Sequence, residues 1–158
     1  MGIVPSCPAA ALIMALSLGA DFLLQGKRFM ASEKKFFRSG PYADFFCQGV
    51  SVDGALYLAG QVGMTENGEI PDDLPAQVAQ AYQNISHVLV QFGATMDDIV
   101  DETFFVTDMD DCMAKVPGVF AAREAAYGKK PEVCQTLVAT PALVDPRLKV
   151  EIKVIARL

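Results

Sequence analysis

Phe45-Phe-Cys-Gln-Gly-Val-Ser-Val-Asp-Gly-Ala-Leu-Tyr-Leu-Ala-Gly-Gln61 sets the reading of this chain. Two runs rich in β-formers, Phe45 to Val52 and Ala55 to Gln61, flank Asp53-Gly54, a strong two-residue hairpin signal. Two antiparallel strands are expected. Downstream, Gly63 to Pro71 holds Asn67-Gly68 and few apolar residues, so it reads as a loop, and Asp72, Asp73 and Pro75 supply a helix start. Val78, Ala81, Tyr82, Ile85, Val88, Leu89 and Phe92 recur at helical spacing as one apolar stripe, which Gly93 ends.

Ile99 to Thr107 reads as a third strand. Asp110 or Asp111 can cap a second helix whose stripe takes in Met113, Val116, Phe120 and Tyr127, with Pro117-Gly118 kinking or delaying it. Val133 to Thr140 and Leu148 to Ala156 complete the set, the last alternating Val150, Ile152, Val154 and Ala156 against Glu151 and Lys153. The order is β-β-α-β-α-β-β, an α+β arrangement whose natural closure is one sheet with two helices on one face. The other face needs cover as well, and a closed ring of identical subunits would supply it without a growing edge.

The length of 158 residues suits one domain with a sizeable core. Thirteen basic and 19 acidic residues give a net charge of −6 without a basic stripe, which disfavours nucleic acid as a partner. Cys7, Cys47, Cys112 and Cys134 lie far apart, and His87 is the one histidine. A zinc site or a disulfide framework is therefore not expected, no cofactor is implied, and free thiols favour the cytoplasm. Residues 1–30 are mostly apolar between Ile3 and Leu24, yet no positive charge precedes the run, Asp21 interrupts it, and Lys27 and Arg28 follow it. A translation start set too early, with residues 31–158 as the domain, is preferred over an extra helix or tail, and a membrane anchor comes third.

The stretches Leu56 to Val62, Asn67-Gly-Glu69, Gln77 to Asn84 leading into Val88-Leu89, Phe92-Gly93-Ala94, Asp97 to Val100, Val106 to Met109 and Val150 to Ala156 together resemble the RidA (YjgF) family, over roughly residues 42 to 157. The resemblance implies a chorismate-mutase-like fold with a mixed sheet, a homotrimer, and small-molecule clefts between neighbouring subunits. It also implies hydrolysis of reactive enamines and imines to a ketoacid and ammonia. Such a cleft uses an arginine, because a guanidinium grips the carboxylate of an imino acid through paired charge-assisted hydrogen bonds. A second group then positions water and shuttles protons.

Here the family's arginine falls on Gln135. Charge-assisted bonds contribute roughly 1.5–3 kcal/mol against about 1 for neutral ones, so carboxylate affinity should fall sharply. Phe46 stands in place of tyrosine, Ala59 in place of serine before Gly60-Gln61, Cys47 in place of serine, and the asparagine early in the second helix falls near Pro117. Glu151 alone keeps its family identity. It is the expected catalytic residue, with burial expected to raise its pKa, and Gln135, Phe46, Cys47, Ala59, Gly60 and Cys134 are the expected substrate-binding residues.

Each has a plainer alternative. Glu151 could be a solvated strand residue paired with Lys149 or Lys153, and Cys47 and Cys134 could be buried small hydrophobes. His87 lies off the apolar stripe and reads as a surface residue, while Met109, Met113, Phe104 and Phe105 read as filler. Lys129, Lys130 and Arg147 could substitute for the missing cation but read first as solvated loop charge. Three functions stay open: a divergent deaminase-like hydrolase, a non-catalytic ligand-binding or regulatory trimer, and a purely structural trimer.

Overall fold

Asp53 and Gly54 both adopt positive φ, 52° and 71°, the conformation that a two-residue turn needs to match the twist of its strands. They join β2 (Gly49–Val52) to β3 (Ala55–Leu58), with Val52 opposite Ala55 and Gly49 opposite Leu58. The computed structural model describes residues 33–158. The readings of residues 1–30 given above, and Cys7, fall outside those residues. Among the described residues no helix is long and apolar enough to cross a membrane.

A short strand that the sequence pattern does not announce, β1 (Lys35–Phe37), pairs with β2. After β3 come β4 (Gln61–Val62), α1 (Leu74–Val90), β5 (Ile99–Val106), α2 (Met109–Ala114), α3 (Val116–Tyr127), β6 (Cys134–Ala139) and β7 (Val150–Arg157). The sheet order is β1-β2-β3-β7-β5-β6, with β4 also on β7. The β5–β6 pair is parallel and the others are antiparallel. The sheet is therefore mixed, and the fold is of the α+β class expected from the sequence.

Burial alternates along the central strands. Glu102, Phe104 and Val106 of β5 and Val150, Ile152, Val154 and Ala156 of β7 are buried against the helices. Thr103, Phe105, Glu151 and Ile155 point to the other face and stay partly accessible. From α1, Val78, Ala81, Tyr82, Ile85, Val88 and Leu89 are all buried, as their spacing demands, and Gly93 follows with φ +72°.

The second helical region departs from expectation in three ways. It is two helices, because the chain turns at Lys115 and Pro117 has no N–H to continue the ladder. Its cap is Asp108, whose Oδ1 accepts the Asp111 N–H at 2.9 Å, and neither Asp110 nor Asp111 fills that role. Its buried face is Cys112, Val119, Arg123 and Tyr127, whereas Met113 and Phe120 are 56% and 39% exposed. A stripe counted straight through Pro117-Gly118 loses phase at the break. The first expected strand is shorter too: the chain turns at Tyr42, whose carbonyl accepts from Phe45 and Phe46, and β2 begins only at Gly49.

Candidate functional site

Between β3 and β4 the register against β7 slips by one residue. Tyr57 faces Ile155, yet Gln61, four residues on, faces Ile152. The extra residue makes the stretch around Ala59-Gly60 an irregularity of the bulge kind, a device that re-aims side chains. Its partner in this is Glu151, opposite Val62 on β7. A Cβ on Gly60 would coincide with the Glu151 carboxylate, so only glycine leaves that carboxylate its place.

β4 is a two-residue stub, and beside it the sheet edge is notched. A cavity of about 900 Å³ occupies this region, lined by the 39–48 loop, Gly60 and the chain that follows, the polar edge of α1, and Glu151. Its walls are fastened by amides. Asn84 Nδ2 donates to the carbonyls of Val62 and Met64, both at 2.9 Å, and its Oδ1 accepts from Gln80. Gln61 Nε2 donates to Gln48 Oε1 at 2.9 Å and to the Ala59 carbonyl at 3.2 Å. The rings of Tyr42 and Phe46 stack with centroids 5.8 Å apart and planes 19° off parallel. Arg38 Nη1 holds their loop by the Ala43 carbonyl at 2.7 Å.

Glu151 is half-buried, and among the described residues no group donates a hydrogen bond to it. Desolvation pushes its carboxyl above the ordinary value of 4.5, against a smaller opposing pull from Lys153. No ion pair joins it to Lys149 or Lys153 among the described residues. A carboxyl with a raised pKa, aimed into a cavity, holds a proton more readily than an ordinary carboxylate and can both accept and return one.

Of the residues singled out in the sequence, Glu151, Phe46 and Gly60 line this one cavity. Ala59 and Cys47 are chain neighbours of lining residues, Ala59 held by its N–H to the Gln48 carbonyl. Cys134 and Gln135 lie elsewhere, on the edge strand β6, where Gln135 sits opposite Glu102 and so shares the helix-covered face. Cys134 is exposed, not a buried hydrophobe, and Cys47 is only partly buried. His87 is exposed as expected, yet it also lines the cavity, its ring 6.0 Å from that of Phe37. Lys129 bonds Asp97 at 2.7 Å. Arg147 holds Asp145 in a two-pronged pair that lowers the aspartate to about 2.

Two features escape a reading of the sequence. Gln77, fully buried, donates to the carbonyls of Pro71 and Arg147 and accepts from the Lys149 N–H, tying α1 to the loop before β7. Glu102, also fully buried, forms an ion pair with Arg123 and accepts from Tyr82 at 2.8 Å and Tyr127 at 3.0 Å. A glutamate at an inward position of an apolar strand and an arginine on the buried face of a helix are the available signals, hidden by the miscounted phase of the second helix.

Residues 38–158 match the protein-family model described as Endoribonuclease L-PSP. The RutC family protein YjgH of Escherichia coli is 33% identical over 103 residues, 65% of this chain and 75% of that protein. The 2-iminobutanoate/2-iminopropanoate deaminase of Escherichia coli is 32% identical over 83 residues, 52% of this chain and 62% of that protein. Among solved structures, Rv2704 from Mycobacterium tuberculosis, of the YjgF/YER057c/UK114 family, aligns with a TM-score of 0.67 at 28% identity, over 80% of this chain and all of that one.

Proposed function

Because the chain belongs to the Endoribonuclease L-PSP family, that of RutC, YjgF and RidA proteins, we propose that it is a homotrimeric, deaminase-like hydrolase of small imines or enamines with altered specificity. Residues 31–158 are its family domain, and its dispersed thiols suit the cytoplasm. The observation that carries this reading is Glu151, a half-buried carboxyl with a raised pKa and no donor among the described residues, on the wall of a 900 Å³ cavity.

In this reaction the Glu151 carboxylate accepts a proton from water as the water oxygen bonds to the imine carbon. It returns that proton to nitrogen to give a carbinolamine, then carries the carbinolamine's hydroxyl proton to nitrogen as the C–N bond breaks, releasing a carbonyl product and ammonia. Gln135 cannot join that cavity within one chain, because β6 is the opposite edge of the sheet. A ring of three copies would bring a neighbour's β6 towards it, placing neutral Gln135 where the family carries its arginine. Loss of that charge favours a second reading, a trimer that binds small molecules without turning them over.

The deciding experiment is ammonia release from freshly generated 2-iminopropanoate and 2-iminobutanoate, run on the species eluting at three times 17.0 kDa. Expected are weak activity in the unaltered chain, a fall of about 10²-fold or more in Glu151→Gln as for loss of a general base, and a gain in Gln135→Arg. An inert chain that Gln135→Arg awakens establishes the binding reading. Activity unaffected by Glu151→Gln, or a monomer in solution, overturns the hydrolase.

A further inference from the structure

The cavity walls carry carboxylates and ring faces but, among the described residues, no lysine or arginine. Glu151 and Glu66 are its acids and His87 its imidazole, and the remaining polar side chains are amides and hydroxyls. The basic side chains that could be expected to serve are engaged or outside. Lys129 is on Asp97, Arg147 is on Asp145, Arg38 is on the Ala43 carbonyl, and Arg123 is on buried Glu102. Lys153 stands two residues along β7 from Glu151, exposed and outside the lining.

An anion entering this cavity would face two carboxylates with no lysine or arginine among the side chains that this chain contributes to the lining, a costly arrangement away from bulk water. A cation meets the opposite. The stacked Tyr42–Phe46 pair presents the electron-rich faces that attract ammonium groups. Glu151, receiving no hydrogen bond among the described residues, has its full acceptor capacity available to N–H donors. The other amides of the lining are largely occupied: Asn84, Gln61, Gln48 and Gln80 bond one another or the backbone.

We propose that the cavity takes a small organic cation, an amine or the protonated form of an imine that carries no carboxylate, with its N–H groups on Glu151 and its apolar body against Tyr42 and Phe46. The imine half of this statement rests on the hydrolase reading; the preference for a cation does not. For an iminium substrate the balance is closed, because one iminium ion and one water give one carbonyl compound and one ammonium ion. The oxygen of water forms the new bond to carbon, and its two protons end on nitrogen, both by way of Glu151. The electron pair of the breaking C–N bond leaves with nitrogen, so the positive charge departs on ammonium. The ion that such a substrate presents is also the form most open to attack by water.

Calorimetric titration of the full chain with benzylamine, benzyl alcohol and benzoate at neutral pH tests it, the three probes sharing a ring and differing in charge. Benzylamine should bind about tenfold more tightly than benzyl alcohol, the advantage of setting an ammonium in place of a neutral hydroxyl against the Glu151 carboxylate. Benzoate should show no saturable binding. Glu151→Gln should abolish the benzylamine advantage while weakening benzyl alcohol less, whereas Phe46→Leu should weaken both. Benzoate binding as tightly as benzylamine, or benzylamine failing to bind in the millimolar range, overturns the proposal, as does an advantage that survives Glu151→Gln. The two failures are separable. Absence of ammonia release from every imine with the cation preference intact removes the hydrolase alone, and turnover of imino acids with benzoate preferred removes this inference alone.

Discussion

The sheet carries a glutamate on each face, and the two have opposite fates. Glu102, under the helices, is fully buried and fully supplied: Arg123 on one oxygen, Tyr82 and Tyr127 on the other. Burial, then the charge of Glu102 and its hydrogen bonds, push both phenols well above their ordinary range, so they remain protonated donors. Glu151, on the open face, has lost part of its hydration without gaining a donor among the described residues. Desolvation with a complete shell makes a fixture; desolvation without one leaves a group whose bonding capacity is available to a ligand or a proton. Both belong to one fold, so burial alone does not identify a functional carboxylate.

The largest effect expected from breaking that contrast is at Arg123. Arg123→Met strips Glu102 of its cation inside the core, and removing one partner of a buried pair costs about 3–5 kcal/mol. Urea denaturation should read this as a loss of midpoint without change of slope. The double substitution Glu102→Leu with Arg123→Met should recover only part of it, since the unpaired buried charge is gone but Tyr82 and Tyr127 lose their acceptor. A single Arg123→Met no worse than an ordinary surface change would mean that Glu102 is not the closed system described.

Next comes Gly60→Ala, which sharpens the open side of the comparison. The new methyl must displace the Glu151 carboxylate, and overpacking of this kind costs about 1–3 kcal/mol. A displacement of about 1 Å can lower turnover by about 10²-fold. Combining it with Glu151→Ala should return the stability but not the activity or the benzylamine preference. Stability unrestored in the pair would place the strain in the backbone of the irregularity and not at Glu151.

How much of this is legible in the sequence differs along the chain for physical reasons. The Asp53-Gly54 hairpin, the α1 stripe and the alternation of β7 are local patterns with one solution, and they stand where the residues put them. Glu151 and Gly60 are legible as site residues only through family resemblance, and their contact depends on a one-residue slip that no local pattern announces. The Glu102 cluster is hidden because its four members are separated by up to 45 positions, from Tyr82 to Tyr127, and two of them sit on a helix whose phase resets at Lys115. The β-forming run around Phe46 points to a strand, and Phe46 lies in a turn. It reaches the cavity all the same, stacked on Tyr42, which carries no signal of its own in the sequence.

The smallest effect tests the comparison most directly. Glu151 has a folded pKa raised above its ordinary 4.5, so the folded chain holds that proton more tightly than the unfolded one. Below the ordinary value both states are protonated and the group contributes no difference. As pH rises from there to the raised value, the unfolded chain ionises first and is favoured, and the resulting loss of stability is complete above the raised value. Glu151→Gln removes this liability. The variant should therefore be slightly more stable than the unaltered protein at neutral pH, by under about 1 kcal/mol for a group still partly hydrated. The gain should close as pH is lowered through the ordinary carboxylate range, as read from urea midpoints at a series of pH values. A variant less stable at neutral pH would reverse the sign and mean that Glu151 is held by a cation in the assembled protein, making it a second Glu102 and no longer its opposite.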